Sequence, residues 1–326
     1  MPKVSVIVTI YNAGEFLYRC LDSLLNQTLR DIEIILVIDC PTDGSDIVAK
    51  DYASRDLRIK IVENRENLHI GESRNVGIRN ASGRFITFID HDDFCSCTML
   101  EKLYNQAINS KSELVWSILA NYDERSKEIK NVSCPNIFED NIKEQIINTI
   151  LMVGTDQKIY RSFNQCHGVL YDRYLLEKFN ISFCDTRIAL PEDVVFNLFV
   201  LCYSQNVSFI KETLYFHSYT TSNTASSISY YEWDKWVINF RKVKELLCNT
   251  HRYEYSKELF NIYLVRYCNM LFAEYLKHCD VKQYLYALHC VRREDWMKLA
   301  FKTYVDKSLK SKYKYLSYLS RLIILF

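Results

Sequence analysis

Gly83-Arg84-Phe85-Ile86-Thr87-Phe88-Ile89-Asp90-His91-Asp92-Asp93 is the stretch that decides how this chain is read. Phe85 to Ile89 is a short run of apolar and β-favouring residues, which predicts a buried strand. It ends in acid. Asp90, Asp92 and Asp93 would repel one another, so their clustering beside a hydrophobic strand makes sense chiefly when a cation shares them. A hard divalent ion, Mg²⁺ or Mn²⁺, is held by one or two carboxylates together with the oxygens of a substrate phosphate. The competing reading is a solvated acidic turn in front of a helix predicted over Thr98 to Ser110.

Working outward, strands and helices alternate. Val4 to Ile10 is a near-continuous apolar run, and Phe16, Leu17, Cys20, Leu21, Leu24 and Leu25 then recur at helical spacing. Ile32 to Ile38 predicts a second buried strand, Asp46 to Arg55 a helix, Ile59 to Val62 a third strand and Glu72 to Ala81 a helix before Phe85. That pattern predicts an α/β fold with a mostly parallel sheet whose ligands gather at the carboxyl ends of its strands. The polar residues fall there: Thr9, Tyr11 and Asn12 after the first strand, Asp39, Thr42 and Asp43 after the second, Asn64 and Asn67 after the third, and the three acids after the fourth.

Composition bounds the function. With 326 residues, 48% hydrophobic and 25% charged, the chain is long enough for one large domain or two ordinary ones. A net charge of +1 gives no global field for nucleic acid. No charged leader or cleavage site precedes Lys3, so no signal peptide is expected, and no apolar run approaches the ~20 residues of a membrane span. The 12 cysteines are scattered. Cys95 and Cys97 are the one close pair and lack a second pair for zinc, so reduced, buried thiols in a cytoplasmic protein are expected. A dinucleotide oxidoreductase would need a glycine-rich turn after the first strand, where only Gly14 is found, and no phosphate-binding Gly-x-x-x-x-Gly-Lys-Ser/Thr occurs.

The sequence resembles the family 2 inverting glycosyltransferases, which have the GT-A fold. The resemblance rests on Val-Ser-Val-Ile-Val-Thr-Ile-Tyr-Asn (4 to 12), Leu-Asn-Gln-Thr (25 to 28), Ile-Glu-Ile-Ile-Leu-Val-Ile-Asp-Cys-Pro-Thr-Asp (32 to 43), Ser-Arg-Asn-Val-Gly-Ile (73 to 78) and Gly83 to Asp93. A looser match runs from Gly168-Val-Leu-Tyr through Pro191-Glu-Asp-Val-Val-Phe to Leu214-Tyr-Phe-His. It implies a GT-A domain over 1–228, divided into a nucleotide-binding half (1–110) and an acceptor half (111–228), with a helical subdomain over 229–326. One departure stands out: Cys40-Pro41 replaces the family's Gly-Ser after Asp39. Proline should push Cys40 towards extended conformations.

By the resemblance, Asp92 binds Mn²⁺ or Mg²⁺, Asp90 the metal or the ribose, and Asp93 supports them. Thr9 and Asp39 face a uracil ring, with Tyr11, Asn12, Asn67 and Arg74 completing the nucleotide site. The donor would be a nucleotide-diphosphate sugar, such as a UDP-sugar, and the acceptor a saccharide or lipid-linked saccharide in capsule, exopolysaccharide or lipopolysaccharide synthesis. Asp193 would take the acceptor proton with help from Glu192, His217 would reach the metal or diphosphate, and His167 would face the acceptor.

Other readings stay open. Asp39 could cap a helix, Arg74 form a surface salt bridge, Glu192 and Asp193 serve a helix dipole, and His217, like His91 and His69, be a satisfied polar residue. Beyond Tyr230 the pattern is helical. Residues 307–326 alternate Lys with Tyr, Leu and Ile, which fits either a helix lying on the membrane surface at the inner face of the plasma membrane or an ordinary packed last helix. A catalytically silent nucleotide-sugar-binding or scaffolding subunit is the alternative to an enzyme.

Overall fold

A computed structural model describes residues 1–131, 140–151, 163–219, 232–278, 280–304 and 320–325. The strands are β1 (Val4–Ile10), β2 (Ile32–Ile38), β3 (Ile59–Glu63), β4 (Phe85–Asp90), β5 (Phe94–Cys95), β6 (Leu114–Asp123), β7 (Glu128–Asn131), β8 (Val169–Asp172) and β9 (Val207–Tyr219). They form a mixed sheet in the order β3-β2-β1-β4-β8-β6-β9-β5, with β7 pairing β6. β1 to β4 are parallel, as is β9 with β6; β8 runs antiparallel to both β4 and β6.

Every residue of β1 and β2 is buried, which is why their sequences lack polar alternation. Side chains alternate between two cores. Val6, Val8, Leu36, Phe85 and Ile89 face one, and Ile7, Ile35, Val37, Ile86 and Phe88 the other. The first core is closed by α1 (Phe16–Leu25), α2 (Ser45–Arg55) and α4 (Met99–Ser110). α1 buries Leu17, Cys20, Leu21 and Leu24, the stripe its spacing predicts.

The second core takes α5 (Ile142–Leu151), α6 (Arg173–Lys178), α7 (Glu192–Tyr203), α8 (Trp233–Asn249), α9 (Tyr253–Lys277), α10 (Val281–Arg293) and α11 (Asp295–Thr303). α3 (His69–Asn80) lies on β1 so closely that a Cβ at Gly77 would stand 2.3 Å from Ile7 Cγ2. The described part of the C-terminal region is helical, as its pattern predicts. Leu285 is the exception on α10: it is exposed, while Tyr284, Leu288 and Val291 are buried. The expected boundary at 228/229 and most of the basic tail, residues 305–319 and 326, lie outside the described residues. No helix among the described residues is long and apolar enough to cross a membrane.

One helix start differs from expectation by more than a residue. α3 begins at His69, three residues before Glu72, because the Asn67 side chain accepts the His69 N–H and turns the chain into the helix early. Pro191 precedes α7 in extended backbone, with φ −77° and ψ 134°. Cys40 corrects the reading of the Cys-Pro turn. It has φ +55°, the left-handed region rather than the extended one. Asp39 N–H is fixed to Ile10 O and Asn64 N–H to Ile38 O, so the chain must leave the sheet abruptly at Cys40.

The turn into β4 is set by a buried carboxylate. Glu33 Oε1 accepts from Ser5 Oγ at 2.6 Å, Ser82 N at 2.6 Å and Gly83 N at 3.0 Å, and Oε2 pairs with Lys60. Burial opposes the charge, but Lys60, Ser5 and Ser82 hold the Glu33 pKa down at about 2. A Cβ at Gly83 would lie 2.6 Å from Ser5 N and 2.9 Å from Val4 C, both backbone. Gly83→Ala is therefore expected to cost about 1–3 kcal/mol in chemical denaturation, because neither strand can retreat.

Candidate active site

The register brings the strand ends together. Thr9 on β1 pairs with Val37 on one side and Asp90 on the other. Asp39 and Asp90 thus stand on strands two spacings apart, roughly 10 Å. Asp39 is buried, and its Oδ1 accepts from Asn64 Nδ2 and from Leu68 N, both at 2.8 Å. It ties down the loop before α3, while the cap-like contact to α2 is made by Asp43, which accepts the Ser45 N–H at 3.0 Å. Thr9 is buried, and its carbonyl lies 3.0 Å from His91 Nδ1. Tyr11 and Asn12 are exposed, with Asn12 Oδ1 accepting the Thr42 N–H at 2.8 Å. Asn67 is half-buried and His69 exposed.

At the end of β4 the carboxylate oxygens of Asp90, Asp92 and Asp93 lie within 4.8 Å of one another. Their surroundings differ. Asp93 is fully buried and consumed by the protein: Tyr215 Oη donates to Oδ2 at 2.5 Å, Ser218 N to Oδ1 at 2.8 Å, and His217 Nδ1 lies 3.3 Å away. Asp90 Oδ1 lies 3.1 Å from Arg74 Nη2 and 3.0 Å from His167 Nε2. Burial would raise the Asp90 pKa, but His167 and Arg74 hold it well below the usual carboxylate range.

The Asp92 carboxylate has no hydrogen bond among the described residues. Burial first, then the charges of Asp93 and Asp90, push its pKa up to about 6. A half-buried carboxylate crowded by two others is costly to ionise without a cation. The donor set therefore fits a hard divalent ion held by Asp92 and Asp90. Asp93 fixes the loop behind them. A solvated turn would not bury Asp93 or lock Asp90 to two cationic partners.

Arg74 joins this acid cluster to a second one. The side chain is 2% exposed, which excludes a surface salt bridge. Nη1 reaches Asp193 Oδ1 at 2.5 Å and Glu192 Oε1 at 3.3 Å, and Nη2 reaches Asp90 and His167. Glu192 and Asp193 occupy the first turn of α7, so they also lie where a helix dipole favours acid. Burial and Asp193 together push the Glu192 pKa up to about 7. A lone parallel bridge between Phe88 and His167 places the histidine beside the end of β4, where its ring stacks on Tyr215 with centroids 5.3 Å apart. Asp90 raises the His167 pKa against the effect of burial.

Asp90, Arg74, His167, Glu192 and Asp193 thus form one connected network, with Asp92, Asp93, Tyr215 and His217 adjoining it. Asp39 lies across β1 from this network. Tyr215 was not among the residues singled out from sequence, although it precedes His217 by two in a strand and so shares its face. Cys166, whose Sγ lies 3.7 Å from His167 Nε2, was missed as well and carries no signal in its neighbours. The ten cysteines described are free.

Residues 5–179 match the model of glycosyl transferase family 2, more than half of the chain. The chain belongs to that family. The chain is 33% identical over 232 residues to an uncharacterized glycosyltransferase, EpsJ, of Bacillus subtilis, covering 71% of this chain and 64% of that one. It is 27% identical over 233 residues to a poly(ribitol-phosphate) beta-glucosyltransferase of Bacillus spizizenii, covering 70% and 34%. The alignments therefore span less than two thirds of these relatives. TarS 1–349 of S. aureus, solved in complex with UDP-GlcNAc, superposes with a TM-score of 0.72 at 18% identity over 99% of this chain and 88% of that one. A mannosyltransferase of Pyrobaculum calidifontis, solved with GDP-Man and Mn²⁺, gives 0.54 at 13% identity over 99% and 85%. The fold is GT-A.

Arg74→Met should leave three half-buried acids without their buried cation and cost about 3–5 kcal/mol at pH 7. The deficit should shrink as pH falls towards 4, because unpaired acids have raised pKa values and are relieved by protonation; urea titrations at several pH values check this. Glu192 has a folded pKa raised above 4.5, so the stability linked to its proton is complete below 4.5 and lost as pH rises through about 7. Glu192→Gln should therefore gain in melting temperature over the parent protein at pH 8, and the gain should vanish near pH 4.5.

Proposed function

We propose that this protein transfers a sugar, with inversion at the anomeric carbon, from a nucleotide-diphosphate sugar to a hydroxyl of a saccharide or lipid-linked saccharide in cell-surface polysaccharide assembly. The observation that carries the proposal is the pairing of two differently treated acid groups across one arginine. On one side Asp92, beside Asp90, has no hydrogen bond from its carboxylate among the described residues. On the other Asp193 and Glu192 converge on the same guanidinium.

A UDP-sugar is the favoured donor. Asp39 offers a buried carboxylate whose hydrogen bonds among the described residues fall on Oδ1, and Oδ2 would accept the imide N–H of uracil. The TarS neighbour holding UDP-GlcNAc supports this reading, as does the mannosyltransferase holding Mn²⁺ for the acid pair. Asp92 and Asp90 would hold Mn²⁺ or Mg²⁺, which when bound neutralises charge on the leaving diphosphate. Thr9, Tyr11, Asn12 and Asn67 line the nucleotide side, and His217 stands beside Asp93 on the metal side.

Asp193 would accept the proton of the acceptor hydroxyl as its oxygen attacks the anomeric carbon and the carbon–oxygen bond to the diphosphate breaks. One displacement of this kind inverts configuration. Arg74 holds the base in place from behind, and Glu192, with its pKa near 7, serves as a local proton reservoir beside it.

Nucleotide sugars tested by thermal shift with and without Mn²⁺ should include one that stabilises the protein by about 2.7 kcal/mol at 100 times its dissociation constant. Asp92→Ala should abolish the Mn²⁺-dependent part. Asp193→Asn should keep nucleotide binding and lose transfer by about 100-fold or more. No shift with any nucleotide sugar in the presence of Mn²⁺ overturns the proposal.

A further inference from the structure

Helix α1 carries a polar stripe that faces the backbone of the acidic loop. Arg19 and Ser23 are four residues apart and Gln27 follows four later, just past the helix end, so they share one side. Cys20 Sγ lies 3.5 Å from Asp90 O, and Arg19 Nη2 lies 3.3 Å from Asp92 O. Ser23 Oγ accepts the Cys95 N–H at 3.3 Å. Gln27 is fully buried, donates to Ser96 O at 2.7 Å and accepts the Leu100 N–H at 3.0 Å. The chain from Asp90 to Leu100 is thus held at successive points by one helix.

Arg19 is the member nearest the acids. Its guanidinium lies over the rings of Phe94 and Tyr122, 4.5 and 5.1 Å from their centroids. The same Nη2 also donates to Ser218 Oγ at 2.7 Å and pairs with Glu124. Ser218 in turn gives its N–H to Asp93. Arg19 therefore reaches the acidic loop twice: at the Asp92 carbonyl, and through Ser218 at Asp93.

We propose that Arg19 is a positioning residue for the divalent-cation site, fixing the Asp92–Phe94 backbone so that the Asp90 and Asp92 carboxylates converge. The proposal rests on the reading of those acids as metal ligands. Its sign distinguishes it from a simple charge effect. A cation beside three carboxylates disfavours a second cation by Coulomb repulsion, so removing it should tighten metal binding if charge is all that matters. A positioning role predicts the opposite.

The test is a titration of the full chain with Mn²⁺ in the presence of UDP, read by electron paramagnetic resonance, alongside the melting temperature of each variant. Arg19→Met keeps an unbranched apolar side chain and removes the donors. It should weaken Mn²⁺ binding about fivefold, the equivalent of one lost hydrogen bond. Arg19→Lys should recover part of that affinity, and it also carries the test through a loss of at least twofold against the parent protein if Arg19→Met does not fold. Unchanged or tighter binding in a folded Arg19→Met protein overturns the positioning role and leaves the acid site standing. Failure of the parent protein to bind Mn²⁺ with UDP overturns both.

Discussion

A buried guanidinium surrounded by acids from two other segments is the constraint on which this structure depends. Arg74 comes from α3, Asp90 from the end of β4, and Glu192 and Asp193 from the first turn of α7. Placing any one of these charges in the interior alone would cost several kcal/mol. Together they satisfy one another, so the three elements must arrive in one arrangement. The close packing of α3 on β1 at Gly77 serves that arrangement, because it brings Arg74 to the level of the strand ends.

The same network separates the acids by role. Asp93 is saturated by Tyr215, Ser218 and His217, and Asp90 by Arg74 and His167. Asp92 is left with the charges of both neighbours and, among the described residues, no hydrogen bond to offset them. Three aspartates that look alike in the sequence are thus a buried brace, an ion-paired carboxylate and one without a hydrogen bond among the described residues. Partners and burial, not residue type, make the difference.

The C-terminal helices belong to this picture through the second core. Asn239 on α8 donates from Nδ2 to Pro191 O at 3.3 Å, and Tyr263 on α9 donates to Asn239 Oδ1 at 2.8 Å. Both side chains are fully buried among aromatic residues. The helical layer therefore touches the turn that starts α7, one residue before Glu192.

Much of the fold was legible because period and polarity report directly on burial. Short, β-branched runs such as Val4 to Ile10 read as strands covered on both faces, and acids following such a run are conspicuous. Asp39, Asp90, Asp92 and the Glu192-Asp193 pair were all recognisable one segment at a time. What no single segment contains is distance across the chain. Arg74 and Asp193 are 119 positions apart, yet they share a 2.5 Å ion pair. The local sequence around Cys40 favoured an extended turn, and hydrogen bonds from Asp39 to Ile10 and from Asn64 to Ile38 overrode it. The amino-acid order by itself determined the strands, the helices and the acids at their ends, since those follow from local propensity and hydrophobic spacing. Only the tertiary structure decided which acid is braced, which is paired and which is left open, since that depends on partners supplied by distant segments and on how far each is removed from water.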